Sequence, residues 1–209
     1  MSINGKKVIE ILTQIAEKID ENKGYLSELD ATIGDGDHGI NMSKGFKAVT
    51  EKLKEDDGVD IAGILKKTGM ALVSTVGGAS GPLYGTAFMK SSMSVNGKTE
   101  IDIKDFSNML KDALDGIKMR GKAKAGEKTM IDALEPALEA INKGIEQGLE
   151  SKEILKLAKE AAYNGVEYTK TIIATKGRAS YLGERSIGHQ DAGATSSAII
   201  LETIYEAIE

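Results

Sequence analysis

Apolar residues recur every third or fourth position along most of this chain, the spacing that gathers side chains on one face of an α-helix. The first run carries Val8, Leu12, Ile15 and Ile19, and the second Met42, Phe46, Val49 and Leu53. The period returns at Ile61, Leu65, Thr68 and Leu72, at Phe106, Leu110, Ala113 and Ile117, and at Leu134, Leu138, Ile141 and Ile145. Farther on, Ile154, Ala158, Ala161, Gly165, Tyr168 and Ile172 predict a helix from Ser151 to about Thr175, with Ser151 as its N-cap. The last run holds Ser197, Ile200, Ile204 and Ile208. Strand-like alternation is nearly absent, and YLSELDATI reads as no more than a weak strand. The pattern therefore predicts seven or eight amphipathic helices in one all-α domain. Helices that each bury one stripe pack antiparallel when their connections are short, which collects the loops, and with them the function, at the ends of a bundle.

Composition narrows the chemistry. A length of 209 residues suits one domain covering 1–209. The absence of cysteine excludes disulfide scaffolds, thiolate zinc sites and cysteine nucleophiles, and the only histidines are His38 and His189. A metal site must then rest on carboxylates, which favours a hard cation such as Mg²⁺. With 32 acidic and 27 basic side chains the net charge is −5, so no broad positive field invites nucleic acid. No apolar run is long enough for a membrane span, and the opening MSINGKKVIE lacks a signal peptide's apolar core. A soluble cytoplasmic protein is expected.

Glycine concentrates in four connections, at residues 34–39, 77–85, 121–126 and 183–193. The first is the most informative. Asp30, Asp35 and Asp37 crowd into eight positions, with Gly34, Gly36 and Gly39 supplying the backbone freedom to bring the carboxylates together. A cation would relieve their mutual repulsion, and Mg²⁺ completes its shell with water and substrate phosphates. Taken alone, the segment is equally readable as a solvated acidic turn. Gly34-Asp-Gly-Asp-His-Gly39 matches G-x-G-x-x-G by letter, but aspartates would repel a pyrophosphate and no βαβ pattern surrounds it. An EF-hand beginning at Asp35 would put Phe46 where the acidic twelfth ligand belongs.

The second connection, Thr75 to Thr86, places consecutive glycines and Ser80 before a helix start near Pro82, a cradle for an anion or simply a tight helix–helix turn. In the third, Gly121-x₄-Gly126 resembles a P-loop with Glu127 inserted, yet a helix precedes it and the lysine is displaced, so the match is discarded. Its basic residues Lys118, Arg120, Lys122, Lys124 and Lys128 read as a solvated loop or as an attraction for anions. Met130 reads as core. In the fourth, Arg178 offers a phosphate fork or an ordinary surface arginine, Asp191 reads as the cap of the last helix, and His189 as a packed or exposed histidine.

Together these segments resemble one known family, the nucleotide-binding L subunits of phosphotransferase-dependent dihydroxyacetone kinases, with the related C-terminal domain of ATP-dependent dihydroxyacetone kinases. The resemblance rests on Leu29-Asp30 and Ile33 through Met42, Gly77 through Gly85, Gly126-Glu-Lys-Thr-Met130, and Lys176 through Ser186 with Gly188-His189, in order over essentially the whole chain. It implies an eight-helix antiparallel barrel-like bundle with a nucleotide across one end. It further implies two Mg²⁺ ions on Asp30, Asp35 and Asp37, and tightly bound ADP that cycles with ATP. His38, Gly39, Ile40 and Asn41, with Ala79 and Ser80, would line the phosphate side; Gly121, Met130, Arg178, Asp191, Ala192 and Gly193 would surround the rest. Many relatives have proline where this chain has Ala192. No residue is assigned as a covalent nucleophile. The implied partners are the phosphohistidine-bearing subunit (DhaM), which phosphorylates ADP, and the subunit that holds dihydroxyacetone (DhaK), which receives the phosphate; a homodimer is open as well. The alternatives are a nucleotide subunit that uses free ATP directly and a nucleotide-sensing regulator.

Overall fold

The computed structural model describes residues 2–208. Its described residues form nine α-helices: α1 (Gly5–Glu21), α2 (Lys23–Ile33), α3 (His38–Leu53), α4 (Ile61–Thr75), α5 (Ser80–Ser94), α6 (Ile103–Gly121), α7 (Ile131–Glu146), α8 (Ser151–Thr169) and α9 (Ala192–Ala207). A 3-10 segment, Arg178–Ser186, lies between the last two. Two three-residue strands, β1 (Ser2–Asn4) and β2 (Glu100–Asp102), pair antiparallel with Ile3 opposite Ile101.

Eight of the helices make a closed ring. Going round it, α1 packs on α3, α3 on α4, and each later helix on the next, until α9 returns to α1. The ninth, α2, lies outside the ring against α3 and α9. This is the all-α, eight-helix bundle expected, with one extra helix produced where the chain breaks at Asn22. The side chains at the predicted positions Leu12, Ile15, Ile19, Phe46, Val49 and Ile141 point into the ring and are buried. Apolar residues of several helices, Ile11, Leu65, Phe88, Leu110 and Leu201 among them, line an interior cavity of about 150 Å³.

The structure departs from the sequence reading at two helices and one cap. YLSELDATI is the helix α2, not a weak strand: only Leu26 and Ile33 of it are buried, so a helix outside the ring carries almost no apolar stripe. Helix α5 was signalled only by its start because, apart from Tyr84, it buries the small residues Gly81, Gly85, Ser91 and Ser92, which bring backbones close and leave no periodic apolar signature. Helix α8 ends at Thr169 and is preceded by Glu150, which makes no side-chain cap bond; Ser151 is already helical. One of the closest helix contacts involves Gly165 of α8. It lies against the carbonyl of Asp132, the group to which Pro136 of α7 has no N–H to donate, and no Cβ would fit there.

Candidate functional site

Helices α3, α5, α7 and α9 start at one end of the ring, where α4, α6 and α8 finish. Their connections enclose an open cavity of about 340 Å³ there, walled by all four glycine-rich segments. N-terminal helix turns bring backbone N–H groups and a partial positive charge to such a place, which favours an anionic ligand.

One wall is the acidic loop between α2 and α3. Carboxylate oxygens of Asp30, Asp35 and Asp37 lie within 4.8 Å of one another. The cluster is held from beneath: Asp30 Oδ2 accepts the backbone N–H groups of Asp37, at 3.0 Å, and His38, at 3.2 Å. Gly34 packs directly on the Asp30 carboxylate, and any side chain there would collide with it. Asp35 and Asp37 are exposed toward the cavity, and Asp37, although it is the N-cap of α3, makes no side-chain cap bond. Asp37 is thus free of capping duty. Three carboxylates offered at this separation are a hard oxygen donor set suited to Mg²⁺, with room left for water and phosphate oxygens. From the opposite side Arg178, in the 3-10 segment, places Nη2 2.9 Å from Asp35 Oδ2.

The facing wall is the turn Gly77–Ser80 leading into α5. Behind it lies a buried polar chain. The His38 ring meets Ser80 Oγ through Nδ1 at 3.1 Å and Ser196 Oγ through Nε2 at 2.8 Å. Tyr84 Oη lies 2.7 Å from Ser196 Oγ and donates to the Gly193 carbonyl at 3.1 Å. Burial pushes the His38 imidazole below its ordinary pKa, although Asp30 and Asp37 pull the other way, and pushes Tyr84 up to about 12. A neutral imidazole and a neutral phenol therefore tie the first turns of α3, α5 and α9 together.

Gly121, Ala123 and Lys128 through Met130 form the third wall, and Lys176 through Ala179 with Asp191 through Gly193 the fourth. Met130 is buried and separates this cavity from the interior one. Asp191 caps α9 by accepting the Ala194 N–H at 2.7 Å while also facing the cavity. Ala192 is the first helical residue after it, a position at which proline is well tolerated.

Of the residues singled out from the sequence, Asp30, Asp35, Asp37, His38, Ala79, Ser80, Gly121, Met130, Arg178, Asp191, Ala192 and Gly193 all line this cavity. Gly39, Ile40 and Asn41 do not. Gly39 is buried against the backbone of Lys23 at the start of α2, Ile40 is exposed, and the Asn41 amide packs beside Gly77, supporting the turn from behind. The lysines at 118 to 128 are not one solvated run: Lys118 pairs with Glu135 at 2.5 Å and Lys128 is buried. Nothing in a run of alternating basic and small residues distinguishes Lys128; only its place between Glu127 and Thr129, ahead of the Asp132 that accepts the N–H of Thr129 at 2.8 Å, hints at a structured turn.

Withdrawal from solvent pushes the Asp191 carboxyl up to about 7 from 3.8, with the Ala194 N–H opposing, Asp132 adding to the rise, Lys128 opposing and Asp30 adding. A carboxyl whose pKa rises on folding stabilises the fold below 3.8, and that contribution is lost as pH climbs to about 7. Asp191→Asn keeps a capping side chain but removes the ionisation. In the metal-free, nucleotide-free protein it should raise the melting temperature near pH 8, and the gain should shrink as the pH approaches 4. A gain that is equal at both pH values would show that ionisation of Asp191 does not strain this site.

Comparison with known proteins gives the family. Residues 32–206 match the model of the DAK2 domain. The chain is 43% identical, over 98% of its length and 97% of the relative's, to the PEP-dependent dihydroxyacetone kinase, ADP-binding subunit DhaL, of Escherichia coli (strain K12). It is 46% identical, over 96% of each chain, to the PTS-dependent dihydroxyacetone kinase, ADP-binding subunit DhaL, of Lactococcus lactis. Its fold resembles that of the dihydroxyacetone kinase of C. freundii in its native form, with a TM-score of 0.73 and 25% identity over 95% of this chain; it spans 34% of that larger one. Sequence, fold and the end-on cavity thus agree that this chain belongs to the DAK2 domain family, among the ADP-binding subunits of PEP-dependent dihydroxyacetone kinases.

Proposed function

We propose that the described cavity is where this subunit holds ADP, as one nucleotide-binding domain, with Asp30, Asp35 and Asp37 carrying two Mg²⁺ ions against the nucleotide's phosphates. The carrying observation is the convergence of those carboxylate oxygens within 4.8 Å, across a common cavity from the Gly77–Ser80 turn. Divalent ions bound there would neutralise charge on the phosphoryl oxygens and hold them in line. The chain's own residues do the rest. The Gly77–Ser80 turn and the first turn of α5 offer backbone N–H groups to phosphate, and Arg178 is poised to exchange Asp35 for a phosphoryl oxygen. Met130, Gly121 and the start of α9 enclose the remainder of the nucleotide.

In this reading ADP stays bound, accepts phosphate from the phosphohistidine of DhaM and, as ATP, passes it to dihydroxyacetone on DhaK. No side chain needs to become covalently modified, because phosphoryl transfer asks the protein chiefly for position and charge. Reconstitution with the DhaK and DhaM subunits tests the route. Phosphoenolpyruvate with the phosphotransferase proteins should support dihydroxyacetone phosphorylation at catalytic amounts of nucleotide. Efficient turnover on free ATP without those proteins would favour the directly ATP-using alternative instead.

A further inference from the structure

Among the described residues Lys128 is the one lysine buried to about 1% exposure, and its backbone takes the left-handed angle φ 60°, uncommon for a residue with a side chain. The turn that carries it is fastened by Asp132, which accepts the N–H groups of Gly126, at 2.5 Å, and Thr129, at 2.8 Å. From there Nζ donates to the carbonyls of Thr169 at 2.5 Å, Ser186 at 2.8 Å and His189, with Ile172 at 3.4 Å. Thr169 ends α8 and Ile172 follows it; Ser186 and His189 stand just before α9. The ammonium therefore joins the outgoing and returning strands of one long connection at its neck. Two more contacts close the same neck, from Gly188 N–H to the Lys170 carbonyl at 2.7 Å and from Ala174 N–H to Ser186 Oγ at 2.9 Å. Beyond the neck hang the 3-10 segment and Arg178, and on its return side the chain leads into Asp191.

We infer that Lys128 is a positioning residue, whose ammonium closes the neck of the 170–190 connection and so sets where Arg178 and Asp191 stand over the cavity. Carbonyl oxygens converging on one point repel one another unless a cation or N–H donors sit among them, so a neutral side chain of equal length cannot substitute. Burial pulls the Lys128 ammonium below its ordinary pKa, and the nearby Asp191 and Asp132 carboxylates oppose that shift.

The nucleotide part of the test rests on the ADP reading above; the loop part does not. Lys128→Ala deletes Cγ through Nζ, a gap that n-propylammonium fills atom for atom. Hydrogen exchange is followed over residues 170–190 without nucleotide, and ADP affinity is measured separately. The variant should keep its helix content, exchange faster by about tenfold or more in that segment alone, and bind ADP about tenfold more weakly, each tenfold being about 1.4 kcal/mol. Added n-propylammonium should restore slow exchange, whereas n-propanol and tetramethylammonium should not. Lys128→Met, similar in volume but uncharged, should loosen the segment and resist rescue, and it serves as the reading if Lys128→Ala loses helix content. Exchange within twofold of the wild type in either folded variant overturns the proposal, as does equal rescue by n-propanol. Restored exchange with unchanged ADP affinity throughout would leave the neck closure standing and count against the ADP site.

Discussion

Asp35→Ala and Asp37→Ala should each release ADP from the purified subunit while leaving its helix content unchanged. Both side chains are exposed at the cavity, Asp37 makes no cap bond, and Asp35 has Arg178 as its ion-pair partner at 2.9 Å, so the fold loses little when either is cut back. Exposed pairs of that kind contribute on the order of 1 kcal/mol or less. Binding loses much more. A ligand oxygen vanishes from a site built of three carboxylates, and the nucleotide's own negative charge then meets an underfilled cation shell. ADP affinity in Mg²⁺ should fall about 100-fold, close to 2.8 kcal/mol. Calorimetric titration with ADP checks it, alongside circular dichroism. In chelator, where no cation offsets the repulsion among the carboxylates, the variants should melt close to the parent chain. Asp30→Ala should behave differently: its carboxylate also holds the N–H groups of Asp37 and His38, so loop order and ADP affinity should be lost together. Retention of ADP by Asp37→Ala through desalting in Mg²⁺ would defeat the metal assignment.

Phe46→Ala should do the reverse, destabilising the ring while sparing the site. Phe46 is fully buried on α3 and meets Phe88 of α5 edge to face, with ring centroids 6.3 Å apart. Removing a buried phenyl ring forfeits its transfer free energy and leaves a cavity that rigid helices cannot fill, a loss of about 3–5 kcal/mol. Against the roughly 5–15 kcal/mol that holds a domain folded, that is a large share. At about 2–4 °C per kcal/mol for a chain of this size, the melting temperature should drop by roughly 10 °C. Since His38, two turns earlier on the same helix, is anchored by Ser80 and Ser196 rather than by Phe46, ADP affinity measured well below the transition should change little. A melting temperature within 2 °C of the parent would mean that α3 and α5 do not share the packing described.

How much of this was legible beforehand follows from the kind of interaction each element depends on. Helices α1, α3, α4, α6, α7 and α8 bury apolar stripes, and a stripe is a property of spacing along the chain, while α9 is buried nearly all round by small and apolar residues. Helices α2 and α5 are held by a few contacts or by small residues at close approach, and such contacts have no period. The acidic loop was readable because its three carboxylates all lie within eight residues, whereas the burial of Lys128 depends on carbonyls as far away as His189.

The sequence by itself determined the all-helical class, the positions of most helices, the hard-donor chemistry of the acidic loop and the family. Only the tertiary structure decided that the eight helices close into a ring, that the four glycine-rich turns meet at one end of it, that Gly39 serves packing rather than the cavity wall, and that a lysine from a basic run fastens the distant loop bearing Arg178. The reason is one of range. Periodicity and local charge act between neighbours in the chain, while enclosure, burial and carbonyl convergence arise only when segments more than forty residues apart are brought into contact.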